Sequence, residues 1–374
     1  MLKPPLSPTQ VLYMRLRSQR LHPRPAQGDA GVAQLVQDVC GVQAQDASAM
    51  ALALRARSAG LAAPEVERAR VEERSVVRTW CMRGTLHLLA AQDLRWLLPL
   101  LGPGFIHATR RRYAELGLDE ATCARAMRAL RDMLGSGGPL TRAELARQLA
   151  ARGIPSHGQA APHLLRRAAL EGLICYGPDR DGEPTYVLLQ DWVDVERVMV
   201  GDAARAELAR RYLEAYAPAG PEDLAAWSGW TMSEARAGFE RLAGQLIPVD
   251  MAGSPGWLLQ SQAAWLHETP AGSVVRLLPS FDPYLLGYRS RDLVVSAQHA
   301  RRIHPGGGWL HPALLVDGRA AGTWKTKRKK NGLVVVVEPF ERIDPDVTPG
   351  LEDEVQDLGH FLGLDATLSL AAPG

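Results

Sequence analysis

Twice between residues 138 and 260 the chain spells one order of local signals, and that repetition narrows the fold more than any other feature. Gly138-Pro139-Leu140-Thr141 reads as the cap of a helix over 142–152, because a threonine hydroxyl accepts from the free amides of a first turn. Gly153-Ile154-Pro155 ends it, and a second helix over about 158–172 turns Leu164, Leu165, Ala168 and Leu170 to a core. The apolar run 173–176, the turn signal Pro178-Asp179-Arg180-Asp181-Gly182 and the return 185–189 then read as a hairpin. The second copy has a helix over 206–216 and a short one opened by Gly220-Pro221-Glu222-Asp223. A third helix follows from the capping box Thr231-Met232-Ser233-Glu234 to about Gly244. Strands over 247–250 and 257–260 close it. Helix, turn, helix and two-stranded hairpin is the order of a winged helix.

A third candidate lies upstream. Residues 65–73 read as helix, and 76–82 with 84–89 read as a hairpin turning at Arg83-Gly84. Beyond 274 the chain is strand-rich. Leu314-Leu315-Val316-Asp317-Gly318-Arg319 carries an Asp-Gly turn signal, and Asn331-Gly332 joins the runs 323–327 and 333–337 as a hairpin. Residues 351–362 read as a closing helix. The expected class is α+β, with three tandem winged-helix units and a strand-rich C-terminal part, divided 1–125, 126–200, 201–270 and 271–374.

Net charge is only +2, so a surface for nucleic acid must come from local segregation of charge. Such segregation exists: of five lysines, Lys325, Lys327, Lys329 and Lys330 fall within six residues, together with Arg328. Phosphate contact is the preferred reading of that cluster, against protection of an exposed strand edge. His157, His163, Arg166 and Arg167 could reach phosphates from the 158–172 helix. Arg110-Arg111-Arg112, Arg289 with Arg291, and Arg301-Arg302 read as solvated faces. Cys40, Cys81, Cys123 and Cys175 are scattered and read as reduced, buried thiols. No H-x-E or H-E-x-x-H pattern occurs, so no metal is expected. The apolar run 94–106 is broken by Pro99, Gly102 and Pro103 and is too short to span a bilayer.

The polar feature with chemical content is Gly41-Val42-Gln43-Ala44-Gln45-Asp46, ahead of an Ala-rich helix that Asp46 and Ser48 can cap. In an extended segment, residues two apart share a face, so the two carboxamides stand side by side. Such a pair can hold a water or a sugar–phosphate but is no strong acid or base; a solvated helix entry would look much the same. Met82-Arg83-Gly84-Thr85-Leu86-His87 brings Arg83 and His87 near the glutamines, His87 reading as a satisfied core or turn histidine. Phe281-Asp282-Pro283-Tyr284 reads as a structural turn with an anchoring aromatic.

Together these pieces resemble the AlkZ/YcaQ family of winged-helix DNA glycosylases. The likeness rests on the glutamine motif, on Arg78-Thr79-Trp80 with the 82–87 stretch, on the Phe281-Asp282-Pro283 turn and on the late basic hairpin, and spans roughly 7–362. It implies a C-shaped stack of three winged helices whose concave face holds duplex DNA, a Gln-x-Gln or Gln-x-Asp motif tied to catalysis, and a required hairpin in the cleft. The Gln-x-Gln branch is linked to bulky alkylguanines and interstrand crosslinks, often as self-protection by producers of DNA-alkylating antibiotics. The expectation is therefore a monofunctional DNA glycosylase with Gln43 and Gln45 catalytic and Arg83, Lys325, Lys327, Arg328, Lys329 and Lys330 contacting DNA. The 325–332 hairpin ranks ahead of the Arg83 turn as the one entering DNA. Double-stranded DNA is the expected partner, for a monomer in the cytoplasm at the nucleoid, with no metal, cofactor or membrane. The alternative is a non-enzymatic DNA-binding protein or transcriptional regulator with inert glutamines; a protein-binding scaffold is the third reading.

Overall fold

The computed structural model describes residues 4–373 apart from 27, 29, 195–197, 269–271 and 331. Three sheets of three strands and one of five carry the described chain. The 138–188 region has the expected order. Thr141 and Glu144 close a capping box at the start of Arg142–Ala151, Ala160–Leu170 follows, and Ile174–Arg180 pairs with Glu183–Leu188. The short strand Leu140–Thr141 completes that sheet. Asp181 and Gly182, at φ 53° and 79°, turn the hairpin more tightly than the Pro178–Gly182 signal suggested.

The next region repeats the order with Gly201–Tyr216, Pro221–Ser228, Met232–Arg241 and the hairpin Leu246–Met251 to Ser254–Leu259. Upstream, Val32–Asp38, Val42–Gln43, Ala47–Arg55, Ala63–Val71, Val76–Trp80 and Leu86–Ala90 follow it too. There Leu86–Ala90 is the central strand, flanked by Val42–Gln43 and Val76–Trp80.

Among the helices unread in the sequence are Pro8–Ser18, Val32–Asp38 and Arg110–Glu115, and two longer ones that change the layout. Glu120–Gly137 buries Cys123, Ala126, Met127, Leu130 and Met133 along one face and runs across the expected boundary at 125. Its buried side chains recur at helical spacing, three and four residues apart, so the signal was present in the sequence. Leu94–Ala108 continues through Pro99 and Pro103, taken as breaks, because Trp96, Leu97, Leu98 and Leu101 bury one face. Among the described residues no helix is long and apolar enough to cross a membrane.

In the C-terminal part, Val275–Leu278, Ala313–Val316, Arg319–Lys329, Gly332–Pro339 and Ala366–Leu370 form one sheet in chain order. The last strand, unanticipated, pairs parallel with Gly332–Pro339 after the helix Thr348–Leu362 crosses over. Asn331 of the expected Asn-Gly turn lies outside the described residues.

Long-range ties decide how these parts sit. Pro5–Leu6 adds a parallel strand to Leu246–Met251, and Gln19 Nε2 donates to the Ala215 carbonyl at 2.6 Å, so the N-terminal segment packs with the 201–259 region. The helix Ala47–Arg55, which begins beside the glutamines, is joined to the C-terminal part by buried charge. Arg55 meets Glu354 at 3.0 Å and Arg57 meets Asp282 at 2.8 Å, the latter pair with both side chains 0% exposed. A buried charge that lost its partner would cost several kcal/mol, so these pairs hold the helix in register with the sheet.

Candidate functional site

Alternation along 42–45 sets the site. Val42 and Ala44 are fully buried, so Gln43 and Gln45 face outward. The residue between them is clamped: the Ala44 amide donates to the Leu86 carbonyl at 2.8 Å, and Arg78 Nε donates to the Ala44 carbonyl at 2.9 Å. Arg78 is held over the Tyr176 ring, which stacks on Trp80. The spacing of the two amides is thus fixed from both sides of the backbone.

Three side chains then form a relay. Arg83 Nη2 donates to Gln43 Oε1 at 3.0 Å, and Gln43 Nε2 donates to Gln45 Oε1 at 2.7 Å. Since a guanidinium only donates, it fixes which end of the Gln43 amide faces it, and that end fixes Gln45 in turn. Arg83 also donates to the Trp227 carbonyl, and burial holds its pKa below the ordinary arginine value. Its backbone sits at φ 54°, in the left-handed region. Arg83, expected at the DNA backbone, lines the cleft and gives two of its five N–H groups to the Trp227 carbonyl and to Gln43.

His87 lies across the sheet from Gln43 and is 2% exposed. Burial, then the Arg83 charge, pushes its pKa down to about 3. The unfolded chain therefore binds one more proton at this site between pH 3 and 6.5. Its contribution is fully present above pH 6.5 and is lost as pH falls toward 3. We expect a His87→Leu variant to flatten the rise of unfolding free energy between pH 4 and 6 by about 1.4 kcal/mol per pH unit, checked by urea titrations across that range.

Gln43, Gln45, Asp46, Arg83 and Thr85 form one wall of a cleft of about 760 Å³, and Phe281, Leu286 and Gly307-Gly308-Trp309 form the other. Asp46 is the one carboxylate among the described lining residues, and its Oδ1 accepts from the Ala49 amide at 3.0 Å as the cap of Ala47–Arg55. Asparagine caps as well as aspartate. Asp46→Asn should accordingly keep the rate of any reaction in this cleft within about threefold if Asp46 is only a cap, whereas loss of a general base would lower it roughly 100-fold or more. Single-turnover kinetics distinguish the two.

A second hollow of about 550 Å³ adjoins through Asp46 and reaches Lys325, Thr326 and Glu338 at the root of the basic hairpin. Lys325 pairs with Glu338, which lowers the pKa of that carboxyl. Lys327, Arg328, Lys329 and Lys330 are exposed, and none makes an ion pair among the described residues. This half of the hairpin projects past Ala313–Val316, whose pairing with Arg319–Lys329 stops at Thr323. The 160–170 helix is less available than expected. Arg167 is tied to Glu120 and Glu171, each at 2.7 Å, and Arg166 Nε donates to the Gly84 carbonyl at 3.2 Å.

Sequence reasoning missed the far wall. Phe281 belongs to a turn read as structural, but its ring lines the cleft; Trp309 carried no signal beyond a lone aromatic after three glycines. The four cysteines are buried and free, and among the described residues no group of three or more His, Cys, Asp or Glu could hold a metal ion.

Residues 36–361 match the family described as DNA glycosylase AlkZ-like. An interstrand DNA cross-link repair glycosylase from Streptomyces sahachiroi is 30% identical over 376 residues, covering 95% of this chain and 96% of that protein. The solved structure of the Streptomyces sahachiroi DNA glycosylase AlkZ superposes with a TM-score of 0.83 at 26% identity, over 98% of this chain and 100% of that one.

Proposed function

We propose, for a chain that belongs to the AlkZ-like family of DNA glycosylases, that its substrates are purines carrying a positive charge, of the 7-alkylguanine type, bulky adducts and interstrand crosslinks included. DNA repair by glycosylase action is the family's activity; the lesion class is inferred from the cleft. A guanine alkylated at its imidazole nitrogen already bears the charge that makes it a good leaving group. When the bond to C1′ breaks, its electron pair stays with the base and neutralises it, so no acid is required. The sugar cation left behind needs a negative dipole and a water.

The observation that carries this reading is the Arg83–Gln43–Gln45 relay in a cleft whose single lining carboxylate is engaged as a helix cap. With its amide orientation set by Arg83, Gln43 retains one N–H, and Gln45 Oε1 retains one lone pair. Together they offer a donor and an acceptor to a water beside C1′. The water's oxygen bonds C1′, its proton leaves to solvent, and an abasic site remains. No amine lines the cleft among the described residues, so a Schiff-base lyase step has no nucleophile there, which supports a monofunctional enzyme.

Lys325, Lys327, Arg328, Lys329 and Lys330 would grip phosphates beside the lesion, with the three repeated units lining a concave face for duplex DNA. The enzyme would act as a monomer, in the cytoplasm at the nucleoid. The test is incubation with duplex holding one 7-methylguanine, followed by alkaline cleavage. Strand scission at the lesion and none at uracil is expected. Absence of scission at both 7-methylguanine and a bulkier charged N7 adduct refutes the reading.

A further inference from the structure

We propose that Trp309 and Phe281 form an aromatic platform that stacks on the charged purine ring and makes the cleft prefer a cationic base over a neutral one of the same shape. This rests on the lesion class proposed above. Among the described residues the exposed large apolar side chains are Val198, Val200, Trp309, Leu362 and Leu370, so Trp309, at 63% exposure, is the one aromatic ring left open to solvent in that set. It lies in the cleft that holds the glutamine pair. Its ring centroid is 5.7 Å from that of Phe281, the planes tilted by 42°.

The backbone on both sides is built for this placement. Gly306, Gly307 and Gly308 have φ of 109°, 61° and 78°, a run of left-handed conformations that side chains rarely adopt. Phe281 itself sits at φ 58°, which is costly for a bulky residue. It is held there by its neighbour: Asp282 accepts from the Tyr284 amide at 2.9 Å and takes a two-pronged bond from Arg57, with no exposure to solvent. A strained backbone braced by a buried ion pair thus sets a half-buried ring beside an exposed indole on one wall of the cleft.

The chemistry points to a cation. The electron-rich face of an aromatic ring attracts positive charge, tryptophan most strongly, and the attraction grows when water is excluded. Asp46 and the two glutamine carbonyls share the lining and act on charge at a point, whereas the rings are the groups flat enough to cover the face of a base. A neutral purine would stack on them too, but without that extra attraction.

The test compares binding of two uncleavable duplexes. One holds 7-methylguanine on a 2′-fluoro sugar, which keeps the charge and resists hydrolysis. The other holds 7-deaza-7-methylguanine, which has the same outline and no charge. The native chain should favour the first by roughly 3- to 30-fold. Trp309→Ala should cut that preference to within about twofold, and Trp309→Phe should restore most of it. Undamaged duplex should bind all three proteins alike. Equal preference in the native chain and Trp309→Ala, or none in the native chain, overturns the platform. Alkaline cleavage of ordinary 7-methylguanine duplex, run beside it, reports separately on the lesion class: abasic product with an unchanged Trp309→Ala preference sinks the platform alone.

Discussion

Alanine at both Gln43 and Gln45 should slow single-turnover release of a cationic purine by roughly 100- to 10,000-fold, while affinity for undamaged duplex changes less than about threefold. The two amides are half-buried or exposed in the cleft wall, and neither is part of the core, so the fold has no reason to suffer. The single variants should not share the loss equally. Gln43 links Arg83 to Gln45, so Gln43→Ala removes one amide and releases the orientation of the other. Its effect should approach that of the double variant, as expected when residues act as a unit. Quench-flow or manual time courses with alkaline cleavage provide the measurement. A double variant at the native rate would leave the pair as helix-entry residues.

The second large effect concerns stability. Asp282→Ala strands the Arg57 guanidinium, which is 0% exposed, with only the Ala53 carbonyl and Gln19 Oε1 as acceptors. Removing one partner of a buried pair costs about 3–5 kcal/mol, seen as a lowered thermal and denaturant midpoint. Replacing both partners with apolar residues, Arg57→Met with Asp282→Leu, should recover most of that loss, because the unpaired charge is gone. The double variant still lacks the acceptor for the Tyr284 amide that braces Phe281. Stability that returns without the charge preference of the cleft would separate the pair's two consequences; stability of the double variant no better than Asp282→Ala would remove the charge argument altogether.

Much of the fold was legible because its signals are local. Thr141 with Glu144 and Thr231 with Glu234 close capping boxes within a single turn, and Asp317-Gly318 turns a hairpin with two residues. The Gln43–Gln45 side-by-side geometry was legible too, since it follows from the two-residue period of an extended strand. What escaped needed distant partners. Ala366–Leu370 is a strand only because Gly332–Pro339 lies beside it, and Leu94–Ala108 survives two prolines because its buried face holds it. Phe281 looked like an anchor, since nothing in its tetrapeptide shows that Trp309 stands beside it.

The sequence by itself determined the repeated helical and hairpin units, the pairing of two outward amides at a capped helix, and the clustering of positive charge at residues 325–330. Only the tertiary structure decided which charges were free to act. Arg83 is spent on a glutamine 40 positions away, Arg57 on an aspartate 225 positions away, and Arg167 on a glutamate 47 positions away. Propensity acts over a turn or two of chain, whereas the fate of a charge depends on whatever acceptor the fold brings within about 3 Å of it, however remote in sequence.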